Sequence, residues 1–458
     1  MRGLISLVAL VGCTGGPVAS LSEAFEHAGF TVQAGEVSSF LLDDCEALSR
    51  CFGNNANTPY LLFNVPGYPD REDTIPPSTV GDVPKVPDGM SASYRLQPNE
   101  ALVLYGRTPP TSTYFGFTPY VYTRVDADGE TVPVFASVTD TVNHLTIQTD
   151  SQTAFDAETA VIMTSDAQTM ASARAALEEQ GIPAAAINEL GVPGDRIHFG
   201  LGDQSDTTLL LGRIAMIDDS NEARDYLADV PLEVYRLTTD QSGEPVTVPA
   251  RKERGNGLTE DALLDALAAL DEAITMEADV QFEAVDVSSA SFIETIINPS
   301  TCLNYTTECL ADNSDTVYAA GPLSVIQGDD SLTLTDEDYF VVFGVNHVAA
   351  GKALYSNAVV YTDEKRIGVA SITDTDMLGS AAGYLPNHPD VEKLFAYTIR
   401  RDCGERPYCL TLPTTFPGVP LSESLFFIVR AYINPGMTVS PAPTELLTER
   451  VYRVRPRD

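Results

Sequence analysis

Short apolar runs and alternating segments, broken by turn residues, outnumber helical stripes along this chain, and the pattern predicts a β-rich α+β molecule. Thr159 to Ser165 is a continuous apolar run expected to be a buried strand. The period then turns helical over Asp166 to Gln180, where Ser165 with Gln168 resembles a capping box, Ala171, Ala173, Ala175 and Ala176 favour helix, and Gly181 and Pro183 end it. Ala185 to Leu190 and Thr208 to Ile217 are strand-like, Ser220 to Asp229 predicts a second short helix, and Leu232 to Thr238 alternates. The order βαββαβ over residues 156–238 is the ferredoxin-like pattern. Val121 to Val125 and Val132 to Val138 flank Asp126-Ala127-Asp128-Gly129, where Asp-Gly suits a hairpin with a type I′ turn. Gly67 to Asp88, rich in Pro, Asp and Gly, predicts a long surface loop.

The same landmarks recur in the second half. With Cys51 set against Cys309, Asn55 meets Asn313, Asn57 meets Asp315, Thr58 meets Thr316 and Tyr60 meets Tyr318. Downstream, Ala101 to Gly106 meets Tyr339 to Gly344, Tyr122-Thr123 meets Tyr361-Thr362, and Ala136 to Thr141 meets Ala370 to Thr375. Arg213 and Val234-Tyr235-Arg236 mirror Arg430 and Val451-Tyr452-Arg453 at equal separation. One match could be chance; an ordered series predicts two homologous domains made by internal duplication. Domain A is expected over 41–238 and domain B over 281–458, packed about a pseudo-twofold axis. Between them, 239–280 predicts a linker and a helix from Thr259 to Thr275, whose stripe of Leu263, Leu267, Leu270 and Ile274 should pack between the domains. The copies differ where Cys403 to Cys409 takes the place of the first helix.

At 458 residues the chain suits two or three domains, and 44% hydrophobic content supplies a normal core. A net charge of -38 repels phosphate backbones and disfavours nucleic-acid partners. Its origin has two readings, adaptation to a salty medium or a GC-rich genome.

Met1-Arg2-Gly3 followed by apolar Leu4 to Val11 resembles a signal peptide over 1–12, too short to span a bilayer. Leu10-Val11-Gly12-Cys13 resembles the lipobox of bacterial lipoproteins. That resemblance implies a diacylglyceryl group on Cys13, a tether over 13–40, and attachment to a membrane of the cell envelope. The other six cysteines fall into local pairs, Cys45 with Cys51, Cys302 with Cys309 and Cys403 with Cys409, a spacing that predicts disulfides in an exported protein rather than zinc ligands.

Catalytic motifs are missing: there is no G-x-S-x-G elbow, no phosphate-cradling glycine loop and no H-E-x-x-H. No cofactor and no metal are expected. Three weak candidates for catalysis remain. His347 directly follows a predicted strand, and Asp374 could share one strand face with Asp376, as a glycosidase pair would require. Asp140 is the counterpart of Asp374. The bland alternative makes the repeated charges buried bridges, Asp140 with Arg213 or Arg236, and Asp374 with Arg430 or Arg453. Asn-x-(Asn/Asp)-Thr-x-Tyr should close a turn through side-chain to backbone bonds.

Asn313-Ser314-Asp315-Thr316-Val317-Tyr318 resembles the N-x-D-T-[LV]-Y segment of a large bacterial group of exported proteins of unknown function, and Phe426 to Tyr432 with Val451 to Val454 resembles that group's C-terminal strand pair. The resemblance implies no reaction. Together these features predict an exported, envelope-attached protein with a non-enzymatic binding or structural role toward an unidentified protein or small molecule. The alternative is an exported hydrolase with a site between the repeats.

Overall fold

The computed structural model describes residues 20–457, apart from 47, 49–50, 52–53, 57, 72–73, 75–85 and 323–331. The lipobox with Cys13, Asn57 of the repeated turn, and most of the loop expected over Gly67 to Asp88 lie outside the described residues.

Helix α1 (Leu21–His27) opens with a reciprocal cap between Ser20 and Glu23, which satisfies two backbone donors that a helix start leaves free. Thirteen strands follow in the first half: β1 (Thr31–Ala34), β2 (Glu36–Phe40), β3 (Tyr60–Pro66), the short β4 (Met90–Ser91) and β5 (Ser93–Tyr94), β6 (Ala101–Arg107), β7 (Ser112–Val125), β8 (Thr131–Ser137), the short β9 (Val142–Asn143), β10 (Glu158–Thr164), β11 (Ile187–Gly191), β12 (Thr207–Ile217) and β13 (Leu232–Thr238). Helix α2 (Ala167–Glu179) lies between β10 and β11, and α3 (Ser220–Ala228) between β12 and β13. The second half holds α4 (Leu264–Thr275), β14 (Val280–Val285), α5 (Ala290–Ile296), α6 (Pro299–Tyr305) and β15 (Thr316–Gly321). After these come β16 (Tyr339–Val345), β17 (Tyr355–Thr362), β18 (Gly368–Thr373), β19 (Leu394–Arg400), β20 (Cys409–Thr411), β21 (Leu425–Tyr432) and β22 (Arg450–Pro456). The chain is thus α+β and strand-rich.

Each half is a pair of sheets. The first half has an outer sheet ordered β1-β13-β6-β10-β11 and an inner sheet ordered β2-β3-β12-β7-β8. The second has β14-β22-β16-β19-β20 and β15-β21-β17-β18. Strand for strand the outer orders correspond, and so do the inner orders once β2 is set aside. The matched arginines fall in register: Arg213 faces Gly116 on β7 and Arg430 faces Asn357 on β17. Apolar residues alternate across the sheets, so Leu102 and Leu104 of β6 pack inward with Phe115 and Phe117, while Ala101 and Val103 face Phe25, Met170 and Leu177 of the outer helices.

Several expectations need correction. Residues 21–40, expected as part of a tether, instead fold as α1, β1 and β2 and pack into the first half. The order βαββαβ over 156–238 is present, but β12 belongs to the inner sheet and β10 pairs in parallel directly with β11, so the pairing is not ferredoxin-like. The long apolar β12 is buried on both faces and is claimed by the sheet that needs such a strand. Helix α4 packs its Leu263–Ile274 stripe on Val341, Phe343 and Val345 of the second outer sheet, not between the halves; it occupies the place α1 holds in the first half. The N-cap of α2 is Asp166, whose side chain accepts from Thr169 N, rather than Ser165. The β7–β8 hairpin exists, but only Gly129 takes a positive φ there and Asp126 closes a longer loop by accepting from Asp128 N and Glu130 N, so the turn is not type I′.

All three disulfides form as expected, Cys45–Cys51, Cys302–Cys309 and Cys403–Cys409. The last sits in the loop that carries β19 into its parallel neighbour β20, the connection made by α2 in the first half.

Reciprocal contacts join the halves. Cys309 N and Ala311 N donate to Val134 O and Phe135 O of β8, while Asn54 exchanges two bonds with Gly368 at the start of β18. Tyr120 Oη donates to Asp312 O (2.9 Å), and Tyr361 Oη makes the equivalent bond to Asn54 O (2.5 Å). Asn54 and Asp312 each stand three residues beyond a matched cysteine, so each half inserts its post-disulfide segment into the other.

Candidate functional site

His347 is held between two buried glutamates. Strand β16 ends at Val345, and Asn346 folds the chain back by accepting from Val348 N and Ala349 N. That turn points the imidazole inward. Nδ1 lies 2.7 Å from Glu260 Oε1 and Nε2 lies 2.6 Å from Glu449 Oε1. Glu260 Oε2 also accepts from Leu447 N. His347, Glu260 and Glu449 are each 3% exposed. Burial alone would lower the histidine, but the two carboxylates and their hydrogen bonds outweigh it and raise it from 6.5 to about 10. The imidazole is therefore a cation clamped at both nitrogens, with neither free to take a proton from a substrate. The cavity beside it, bounded by Tyr318, Arg430 and Leu446 among others, measures about 10 Å³, room for one water and no substrate.

Beside this cluster, Lys352 Nζ donates to Glu445 (2.7 Å), Asn256 Oδ1 and Leu258 O. The expected linker is in fact a strap. Arg251 donates to Ser137 O, Lys252 N to Asp140, Arg254 to Glu294 and Asn313 O, and Gly255 N to Ser440 O, before Glu260 reaches His347. It bonds both halves along its length, which fixes their relation.

The other candidates are not brought into this cluster. Asp374 begins a single helical turn, Asp374–Met377, capped by Thr373, so it does not alternate with Asp376 along a strand. Asp376 is taken up in that cap, and Asp374 accepts from Ser356 N. Burial raises the Asp374 carboxyl. Asp140 lies in the loop after β8, in the opposite half, where Oδ2 accepts from Lys252 N.

The proposed Asp–Arg bridges are also corrected. Arg236 pairs with Glu100 at 2.8 Å, and Arg453 pairs with Asp338. These acids occupy matched positions, one residue before β6 and β16. Arg213 and Arg430 have no carboxylate partner among the described residues. Arg213 donates to Tyr120 Oη and Ala311 O and sits over the Tyr60 and Tyr120 rings. Arg430 donates to Tyr361 Oη and sits over Tyr318 and Tyr361. Aromatic faces, rather than aspartates, accommodate these two charges.

Asn313 closes its turn as expected, accepting from Asp315 N at 2.7 Å. Asp315, fully buried, accepts from Tyr114 Oη (3.0 Å) and Asn143 Nδ2 (2.9 Å) of the other half. Burial pushes its carboxyl from 3.8 up to about 7, against the lowering effect of those bonds.

Two open clefts among the described residues are large enough for a ligand, and the smaller, about 540 Å³, lies beside α4, the end of β14 and the start of β22. The larger measures about 980 Å³ and lies between β1–β2 and the α3–β13 segment, with Glu36, Val37, Leu227, Asp229 and Glu233 among its walls. No group of three or more His, Cys, Asp or Glu side chains could hold a metal among the described residues. No helix among them is long and apolar enough to cross a membrane.

No family model matches the chain. No curated relative matches it. Among solved structures it is similar to an uncharacterized protein from Burkholderia cenocepacia at 10% identity and a TM-score of 0.41, covering 95% of this chain and 87% of that one. It is also similar to a protein from Vibrio parahaemolyticus at 12% identity and a TM-score of 0.36, covering 80% of this chain and 88% of that one.

Proposed function

We propose that the chain is an exported lipoprotein, attached to the cell envelope through Cys13, whose two halves arose by internal duplication and whose task is binding or structure rather than catalysis. The pairing of all six cysteines beyond Cys13 carries the reading. Each ring is closed over a separation of only 6 or 7 residues, and such disulfides persist in oxidising compartments. The basic start and the lipobox supply the address.

The competing hydrolase reading draws on His347, which does have acids within hydrogen-bond reach. Both acids are spent on holding the imidazolium, and the adjoining space is too small for a substrate. A cation sealed between two carboxylates supports a structural role: it fastens the strap to β22 and to the turn after β16. The binding role is supported by the 980 Å³ cleft, which falls in the ~300–1,000 Å³ range of ligand sites.

Cell fractionation of the wild type and of Cys13→Ala tests the reading. The wild type should sediment with envelope membranes and the variant should not. Equal amounts of both in the soluble cytoplasmic fraction would overturn it.

A further inference from the structure

The two halves differ at one sheet edge. In the second half, the chain leaving β14 pairs with β15 only at the single bridge Ser288–Ala320, then turns into α5, which packs on β15 through Ala290 beside Val317. In the first half, the chain leaving β1 continues as a full strand, β2, paired with β3 over five residues from Glu36–Asn64 to Phe40–Tyr60. Its other side pairs with no strand among the described residues. Gly35 makes this path possible: a Cβ there would lie 2.1 Å from Asn64 O and 2.9 Å from a Val234 methyl, so only glycine lets the chain step from the outer sheet to the inner one.

An open edge strand presents unpaired N–H and C=O groups, and folded proteins ordinarily cover or blunt it. The second half does so with a helix. The second half also has a cleft at the corresponding corner, about 540 Å³ along Ala284 to Val287 beside α4, whereas the first half keeps the larger one, about 980 Å³ along Ala34 to Ser39, opposite α3 and the start of β13. Val37, Leu227 and Val230 give it an apolar wall. Glu36, Asp229 and Glu233 supply three carboxylates, Glu233 also accepting from Tyr235 Oη, whereas the single cation of the lining, Arg224, is engaged with the neighbouring Asp225. The surrounding chain carries a net charge of -38.

We propose that β2 is a docking edge for an extended, cationic polypeptide segment of a partner protein, which adds as a strand and lays alternate side chains on the Val37–Leu227 wall and among the carboxylates. This deepens the binding role proposed above and rests on it. Main-chain pairing supplies the registration, and the carboxylates select basic over acidic segments.

The test uses the full chain and a fluorescent Lys-Val-Lys-Val-Lys-Val peptide, with two controls: a Glu-Val analogue and a Lys-Val peptide N-methylated at alternate residues. Fluorescence anisotropy should show the Lys-Val peptide binding at least tenfold tighter than either control. Glu36→Lys should weaken it severalfold, whereas Asp128→Lys, in the distant β7–β8 loop, should leave it unchanged. Should Glu36→Lys perturb folding, Leu227→Arg, which narrows the cleft from α3, provides the second variant and should weaken the peptide likewise. Equal binding of the N-methylated peptide would overturn the proposal and reveal general attraction to an acidic chain. Equal weakening by Glu36→Lys and Asp128→Lys would also overturn it. Because the readout is independent of Cys13 and of membrane attachment, its failure leaves the envelope reading standing.

Discussion

Replacing His347 by glutamine removes the cation from the sealed Glu260–His347–Glu449 cluster while keeping a side chain of similar reach. The amide can donate to one glutamate but carries no charge to neutralise the pair, and breaking a buried ion pair costs about 3–5 kcal/mol. The titration gives a second, sharper signature. The imidazole is raised from 6.5 to about 10 in the folded chain. Its contribution is therefore fully present below the unfolded value and is lost as pH rises through the folded one. Between pH 7 and 9 the folded state holds one proton that the unfolded state has released, so stability should fall by about 1.4 kcal/mol per pH unit, roughly 3 kcal/mol across the window. This window starts at the Asp315 midpoint, whose contribution is common to wild type and variant and cancels in the comparison, and lies below the ordinary tyrosine range. Urea unfolding at pH 7, 8 and 9, compared between the wild type and His347→Gln, reads both effects. The variant should be less stable at pH 7 and should lack the one-proton slope. Identical slopes, or a loss at pH 7 under ~1 kcal/mol, would refute the clamped imidazolium.

Three further outcomes follow from other buried groups. Asp315 is raised from 3.8 to about 7, so its cost appears as pH climbs between those values and reaches about 4 kcal/mol above them; Asp315→Asn should remove that decline, as measured by unfolding at pH 4.5 and 7.5. Arg236→Met strands Glu100 in a pair where both side chains are 1% exposed and should cost about 3–5 kcal/mol, whereas Arg453→Met, at 11% and 9%, should cost clearly less in the same denaturant series. Cys403→Ser with Cys409→Ser opens a ring of separation 6 in the loop replacing α2 and should cost about 2 kcal/mol by the same measurement, with the parallel β19–β20 pairing loosened in hydrogen exchange.

The sequence pattern reached the architecture further than the site. The repeated cysteine, Tyr60/Tyr318 and Arg236/Arg453 landmarks anticipated the matching strand orders, and the local cysteine pairs anticipated the disulfides. The pattern failed where the answer depended on which sheet claims a strand. Nothing in Thr208 to Ile217 distinguishes an inner-sheet strand from a ferredoxin-like neighbour of β10, because both read as apolar runs. The helix stripe from Leu263 to Ile274 showed that α4 buries one face, but not against which sheet. His347 was singled out, yet its partners were not: Glu260 and Glu449 stand 87 and 102 residues away among 65 acidic side chains. The Arg236–Glu100 and Arg453–Asp338 pairs did leave a signal, an acid one residue ahead of each matched strand β6 and β16. Asp140 and Asp374 recurred more visibly, but each follows the end of its strand and accepts from backbone N–H, that of Lys252 for Asp140 and that of Ser356 on β17 for Asp374, instead of pairing with an arginine.

The central proposal is one of address, which rests on the short-ring disulfides and the signal-like start. Mass spectrometry of the mature N-terminal peptide tests it most directly. The mature chain should begin at Cys13 and bear a diacylglyceryl group on its sulfur. A chain beginning at any other residue, or an unmodified Cys13, would contradict it.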